Sequence, residues 1–311
     1  MSDSFCLDPA YSTTRFVTRE HPVIEEPLAS NCKNLLFLPS NPKRKGEGGI
    51  RTKGYFKHSL PGKPLITVIT VVYNGIQDLE KAIQSVVNQT YDNIEYIVID
   101  GGSIDGTIDL LKKYDLKIDY WLSENDDGIY HAMNKAISLS SGDWIYFIGS
   151  DDQLLTSSLS QIAVNLISNN AVYYGDVYYP RSHRLYDGIF TARKLMFRNI
   201  SHQSIFFPRQ LLVEHHFNLK YRTHADYALN MRLFCSSAFT FTYIPVLVAV
   251  YNDSNGASSL SEDPEFLSDK KMIIRKFFPW QLYVIYSLRS MLVGSLEFIG
   301  MKKALKKLLK G

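Results

Sequence analysis

The chain has 311 residues, 45% hydrophobic and 21% charged, enough to bury a sizeable core and too apolar for a disordered chain. Its formal net charge is +3, with five lysines in the last ten residues, so the body is not a general polyanion binder and no nucleic-acid partner is expected. The three cysteines, Cys6, Cys32 and Cys235, form no CxxC and no metal-ligand spacing, which suits a reducing cytoplasm.

The first residues, "MSDSFCLDPAYSTTR", lack the basic and apolar regions of a secretory signal. Residues 1–63 are rich in Ser, Asn, Pro, Gly and Lys, show no sustained period, and are expected to be an irregular N-terminal extension. From residue 65 the pattern changes. "LITVITVVY" (65–73) is a continuous β-branched run, as in a parallel strand covered on both faces. In "DLEKAIQSVVNQ" (78–89), Leu79, Ala82, Ile83, Val86 and Val87 recur at helical spacing, with Asp78 as the expected N-cap. A second strand, "IEYIVID" (94–100), precedes a loop, "GGSIDGT", and a short helix near 106–114. "IDYWLS" (118–123) predicts a third strand, and Ile129, Met133 and Ile137 predict a helix over 128–140. The fourth strand is "DWIYFIG" (143–149). Strands alternating with helices through short connections predict a parallel α/β sheet. The second half is mixed α+β, with strands expected at 171–179, 200–207 and 239–251 and a helix at 225–237.

Ligands of open parallel sheets bind beyond the carboxyl ends of the strands. Three strands end in polar groups: Tyr73-Asn74, Asp100-Gly101-Gly102-Ser103, and Ser150-Asp151-Asp152. "GGSIDG" fails the dinucleotide fingerprint, because Ser103 stands where glycine is needed, and no Walker motif is present. Adjacent acids at a strand end suit a hard cation such as Mg²⁺ or Mn²⁺. The bland alternative is a solvated turn capping a helix that starts near Thr156. If strand geometry continues to residue 152, only one of the two acids faces the cation.

The run "PLITVITVVYNGIQDLEKAIQSVVNQTYDNIEYIVIDGGSIDGT" resembles the opening of the family 2 glycosyltransferases, which have the GT-A fold. "SENDDGIYHAMNKAISLSSGDWIYFIGSDD", "SHQSIFF" and "ADYALNMRL" are similar to later motifs of its bacterial polysaccharide branch, so the likeness covers residues 64–250. It implies a nucleotide-sugar donor, with UDP as the expected nucleotide, a divalent metal (Mn²⁺ or Mg²⁺), and inversion at the anomeric carbon. It also implies a division into residues 1–63, a GT-A domain at 64–255, and a helical, basic segment at 256–311.

Position by position, the resemblance places Asn74 in the nucleotide crevice and Asp100 near the base or ribose. Gly101 stands where many members have a second acid. Ser150-Asp151-Asp152 matches the metal motif in a reduced form, with Asp152 on the metal and Asp151 nearer the ribose. Asp226 matches the catalytic base. Asp126, Tyr130, Asn134 and Lys135 match the segment before the metal motif, where donor contact competes with a plain surface helix. His202 and Gln203 match a branch motif, either as donor or acceptor contacts or, for the histidine, as a structural residue in an apolar strand. Arg232 meets diphosphate or forms a helix salt bridge. His131 is given no role.

The C-terminal stretch is apolar, carries Arg289 and Glu297 within it, and ends in lysines. No membrane span is expected there. Apolar helix plus lysine favours an anionic membrane surface, and the alternative is a helix packed on the domain. The resemblance implies a lipid-linked (polyprenyl diphosphate) acceptor at the cytoplasmic face of the membrane, in O-antigen or capsule synthesis. The competing reading is a non-catalytic α/β module that binds nucleotide or metal; it leaves Asp226 unexplained.

Overall fold

The structure, a computed structural model, describes residues 4–22, 35–186, 188–253 and 263–298. Ten strands form one sheet: β1 Gly46–Gly48, β2 Ile66–Val72, β3 Ile94–Asp100, β4 Tyr120–Ser123, β5 Trp144–Phe147, β6 Gln153–Leu154, β7 Ala171–Tyr179, β8 Arg184–Tyr186, β9 Ile205–Pro208 and β10 Thr240–Val250. The helices are α1 Ile76–Val87, α2 Thr107–Lys113, α3 Ile129–Leu139, α4 Ser158–Ala163, α5 Ala192–Phe197, α6 Arg209–Glu214, α7 Ala225–Phe234, α8 Pro264–Phe277 and α9 Trp280–Phe298.

The strand order is β1-β4-β3-β2-β5-β9-β7-β10-β6, with β8 on β7. β4, β3, β2 and β5 run parallel, as do β7 and β10, and β9 is antiparallel between β5 and β7. From β2 the chain winds outward through β3 to β4, then returns to place β5 on the other side of β2. That reversal opens a crevice past the carboxyl ends of β2 and β5, where such sheets bind ligands.

The β-branched runs form strands because both faces are covered. On β3, Tyr96 and Val98 enter one core with Leu79 and Ile83 of α1. Ile97 and Ile99 enter the other with Met133 and Ile137 of α3. α1 buries Leu79, Ala82, Ile83, Val86 and Val87, as their spacing predicts. Its N-cap, however, is Gly75, and Asp78 lies in the first turn. Ile129 opens α3 and is 44% exposed, so Tyr130 takes its place in the core stripe. The strand expected over 200–207 is only β9; residues 202–204 form a 3₁₀ turn.

The N-terminal region is tied into the sheet at several points. β1 pairs antiparallel with β4. Arg51, 3% exposed, donates to Glu95 at 2.6 Å and to the carbonyls of Leu36 and Leu139 at 3.0 and 2.9 Å. Glu95 also accepts from Thr67 Oγ1 at 2.6 Å and Ser141 N at 2.8 Å. Lys57 is equally buried, bonded to the Ile94 carbonyl and paired with Asp119 at 3.3 Å. Removing one member of a buried pair strands the other charge. Arg51→Ala is therefore expected to cost about 3–5 kcal/mol of unfolding free energy, read from the denaturant midpoint, while joint replacement of Arg51 and Glu95 by Met and Leu recovers most of it. Equal losses in the single and paired variants would contradict this.

Candidate active site

Asn74 follows β2 with φ at 51°, a left-handed conformation that asparagine tolerates better than most residues. Its amide N donates to Ser103 Oγ at 2.7 Å, and its Oδ1 accepts from Ile104 N at 3.0 Å. Asn74 thus joins the loops after β2 and β3 at the mouth of the crevice.

Asp100 is fully buried. It accepts from Gly102 N at 3.2 Å, Ser103 N at 3.0 Å and Ser123 Oγ at 2.5 Å, and from the Ser103 hydroxyl. These bonds tie the carboxylate into the loop that follows β3. Asp126 fills the space beside Gly101: a Cβ at 101 would lie only 2.8 Å from Asp126 Oδ2 and 3.4 Å from the Tyr73 ring. Asp126 is half-buried and accepts from Gly128 N at 2.8 Å, and Tyr73 is exposed.

β5 stops at Phe147, and Asp152 N donates back to Gly149 O at 3.2 Å. Strand geometry therefore ends before the acids, and a turn separates them. Asp152 is 1% exposed; its Oδ1 accepts from Asn252 N at 2.7 Å and its Oδ2 from Gln203 Nε2 at 2.8 Å. Burial, with the Asp151 charge as a smaller cause, pushes its carboxyl up to about 7. Burial also raises half-buried Asp151. Among the described residues no lysine or arginine pairs with either acid. Buried negative charge without a protein counter-ion fits a divalent cation, since each Asp152 oxygen keeps a lone pair. Among the described residues no group of three or more His, Cys, Asp or Glu side chains is placed to hold a metal. Two carboxylates with phosphate and water is the usual Mg²⁺ environment.

Asp226 is the second residue of α7, where the helix end favours negative charge. It is 9% exposed. Tyr130 Oη donates to its Oδ1 at 2.6 Å, and Asn199 Nδ2 donates to its Oδ2 at 2.7 Å. His202 Nδ1 lies 3.9 Å from Oδ2. The imidazole packs against Phe147 and Phe217, and neither ring nitrogen has a hydrogen-bond partner. Burial lowers its pKa, so the ring is held neutral. His202 is thus in a turn beside the acid rather than in an apolar strand.

The remaining candidates separate. Asn134 donates to the Phe217 carbonyl at 2.9 Å and accepts from its N–H at 3.0 Å. Lys135 pairs with Glu124 at 2.8 Å. The polar groups of both are engaged with neighbouring segments of the chain. Tyr130 instead orients Asp226. Arg232 lies beside His215, which follows α6, rather than at the acid end of α7. Sequence reasoning missed Asn199 and Asn230. Asn230 stands four residues after Asp226 on one helix face, a weak signal; Asn199 has none.

A family model described as "Glycosyl transferase family 2" matches residues 67–228. A PGL/p-HBAD biosynthesis glycosyltransferase of Mycobacterium bovis is 33% identical over 220 residues, covering 68% of this chain and 86% of the relative. Among solved structures, S. aureus TarS superposes with a TM-score of 0.59 at 16% identity, over 75% of this chain and 44% of TarS. Its 1–349 fragment in complex with UDP-GlcNAc gives 0.56 at 17% identity, over 69% and 68%. The mannosyltransferase PcManGT of Pyrobaculum calidifontis, in complex with GDP-Man and Mn²⁺, gives 0.53 at 18% identity, over 80% and 82%. The expected GT-A fold is borne out.

Proposed function

The chain belongs to glycosyl transferase family 2, and from that premise we propose that it is an inverting, metal-dependent enzyme. It moves a hexose from a nucleotide sugar, with UDP as the first expectation, to a lipid-linked glycan in cell-surface polysaccharide synthesis. One observation carries the reading. Two adjacent residues connect the two acids, because Gln203 bonds Asp152 while His202 faces Asp226. The putting together of a cation site and an oriented base explains both acids at once. The complexes of TarS with UDP-GlcNAc and of PcManGT with GDP-Man and Mn²⁺ support a nucleotide-sugar donor and a metal. We take residues 64–255 as the catalytic unit.

Asp226 takes the proton of an acceptor hydroxyl. That oxygen attacks the anomeric carbon from the side opposite the departing nucleoside diphosphate. Asp152 is the principal metal ligand, Asp151 lies toward the ribose, and Asn74 and Asp126 border the nucleoside. When bound, the cation supplies charge neutralisation at the diphosphate. Gln203 and the Asn252 amide keep Asp152 in place. A screen of nucleotide sugars with Mn²⁺ or Mg²⁺, read by nucleoside diphosphate release, tests the reading. Metal-dependent release with one donor class supports it; no release from folded protein with any donor, metal and glycan acceptor contradicts it.

The acceptor side rests on α9. Among the described residues no helix is long and apolar enough to cross a membrane. Leu282, Tyr283 and Tyr286 pack on the core, while Trp280, Val284, Leu288 and Met291 are 71%, 42%, 57% and 69% exposed. The lysines of 302–310 lie outside the described residues. An apolar helix face followed in sequence by lysines suits an anionic lipid surface at the cytoplasmic side. Full-length protein is expected to float with phosphatidylglycerol vesicles, and the Leu288→Glu/Met291→Glu variant to remain behind. Equal flotation would remove the membrane assignment.

A further inference from the structure

Asp226 lies where three parts of the chain meet. α3 brings Tyr130, the segment before β9 brings Asn199, and α7 itself brings Asn230 one turn on. Asn230 Nδ2 donates to Asn199 Oδ1 at 2.9 Å, and Asn199 Nδ2 donates to Asp226 Oδ2 at 2.7 Å. Asn230 is fully buried.

The direction of this chain follows from chemistry. An ionised carboxylate only accepts hydrogen bonds. Asn199 must therefore present its NH₂ to Asp226 and its oxygen to Asn230. Turning it over would set an oxygen against the carboxylate and two NH₂ groups against each other. The cost of this polarity appears at the far end, where Asn230 Oδ1 is buried without a hydrogen-bond partner. Buried polar groups are rarely left so.

The charged neighbours leave the acid dependent on these neutral donors. Tyr130, from α3, donates to Oδ1. His202, from the turn before β9, is 3.9 Å away and held neutral. His224, beside the start of α7, lies 2.9 Å from the Thr223 hydroxyl and 4.0 Å from Asp263. Lys270 of α8 reaches the Tyr227 hydroxyl at 3.4 Å. No lysine or arginine pairs with Asp226 among the described residues.

We infer that Asn199 and Asn230 are positioning residues that hold the Asp226 carboxylate through a directed chain of donors and turn its unshared lone pairs to the crevice. Hydrogen bonds to a charged form favour that form, and each bonded amide polarises the next. The inference rests on the reading of Asp226 as the base.

Asn230→Asp tests it with an isostere that does not touch the reacting atoms. A carboxylate at 230 cannot donate, so Asn199 turns its NH₂ toward it and its oxygen toward Asp226. The acid limb of the kcat–pH profile is expected to move up by about one pH unit, with donor KM within about twofold of wild type. Below the limb, kcat at a given pH is expected to fall about tenfold, while the plateau at higher pH changes little. Asn199→Ala, which removes the donor outright, is expected to move the limb the same way. A folded Asn230→Asp enzyme with the wild-type acid limb overturns the inference; if that variant does not fold, Asn199→Ser carries the same readout. Asp226→Asn in the same assay separates the two claims. If it retains turnover, the base assignment and the inference both fall. If it is inactive while the asparagine variants keep the wild-type limb, the inference alone falls.

Discussion

Asp226→Asn is expected to lower kcat by about 10²–10⁴-fold, the usual worth of a positioned general base. The amide is nearly the same size, so cavity effects do not enter. It cannot take a proton from an acceptor hydroxyl at neutral pH. Its NH₂ must also face one of the two donors, Tyr130 Oη or Asn199 Nδ2, that point at the wild-type carboxylate. Donor KM is expected to stay within a few-fold, because the proposed base acts on the acceptor. Steady-state nucleoside diphosphate release, with a melting curve on the same sample, checks both points. Near-normal kcat in folded protein would remove Asp226 from the mechanism.

Asp152→Asn is expected to abolish metal-dependent turnover. A Lewis-acid contribution of about 3 kcal/mol corresponds to more than a hundredfold in rate. A second readout follows from burial. The Asp152 carboxyl is pushed up to about 7, above its unfolded value near 3.9, so the folded protein binds this proton more tightly. That contribution to stability is complete below the unfolded pKa and is lost as pH rises toward about 7. Metal-free wild type should therefore lose stability across that range, and Mn²⁺ should restore it at pH 8. The asparagine variant should show neither the loss nor the rescue. An equal Mn²⁺-induced rise in melting temperature in both proteins would place the metal elsewhere.

The sheet was legible because its strands are continuous β-branched runs. Ile94–Asp100 and Ala171–Tyr179 match their expected limits, since turn residues bound both runs. α1 was legible from its five buried positions, although Asp78 was misread as its cap because glycine at 75 gives no side-chain signal. The apolar letters of 200–207 concealed the turn at His202, which only the packing of Phe147 and Phe217 explains. Residues 1–63 read as an irregular extension, yet Arg51 and Lys57 within them enter the sheet region to meet Glu95 and Asp119. Such partners lie more than forty residues away and leave no local pattern.

The same limit applied at the crevice. The sequence named acids at strand ends but not which of them bond other parts of the chain. Asp100 and Lys135 carry the right chemistry for a ligand, and their bonds to Ser103, Ser123 and Glu124 are set by tertiary contact. Asn199 and Asn230 became visible only once α7 and the segment before β9 were brought together.

The central claim is a single displacement at one crevice, with Asp226 as base and the diphosphate leaving from the opposite side. The anomeric configuration of the purified transfer product, read by NMR from a donor of known configuration, tests this most directly. The mechanism predicts a product inverted relative to the donor. A product with retained configuration would contradict it.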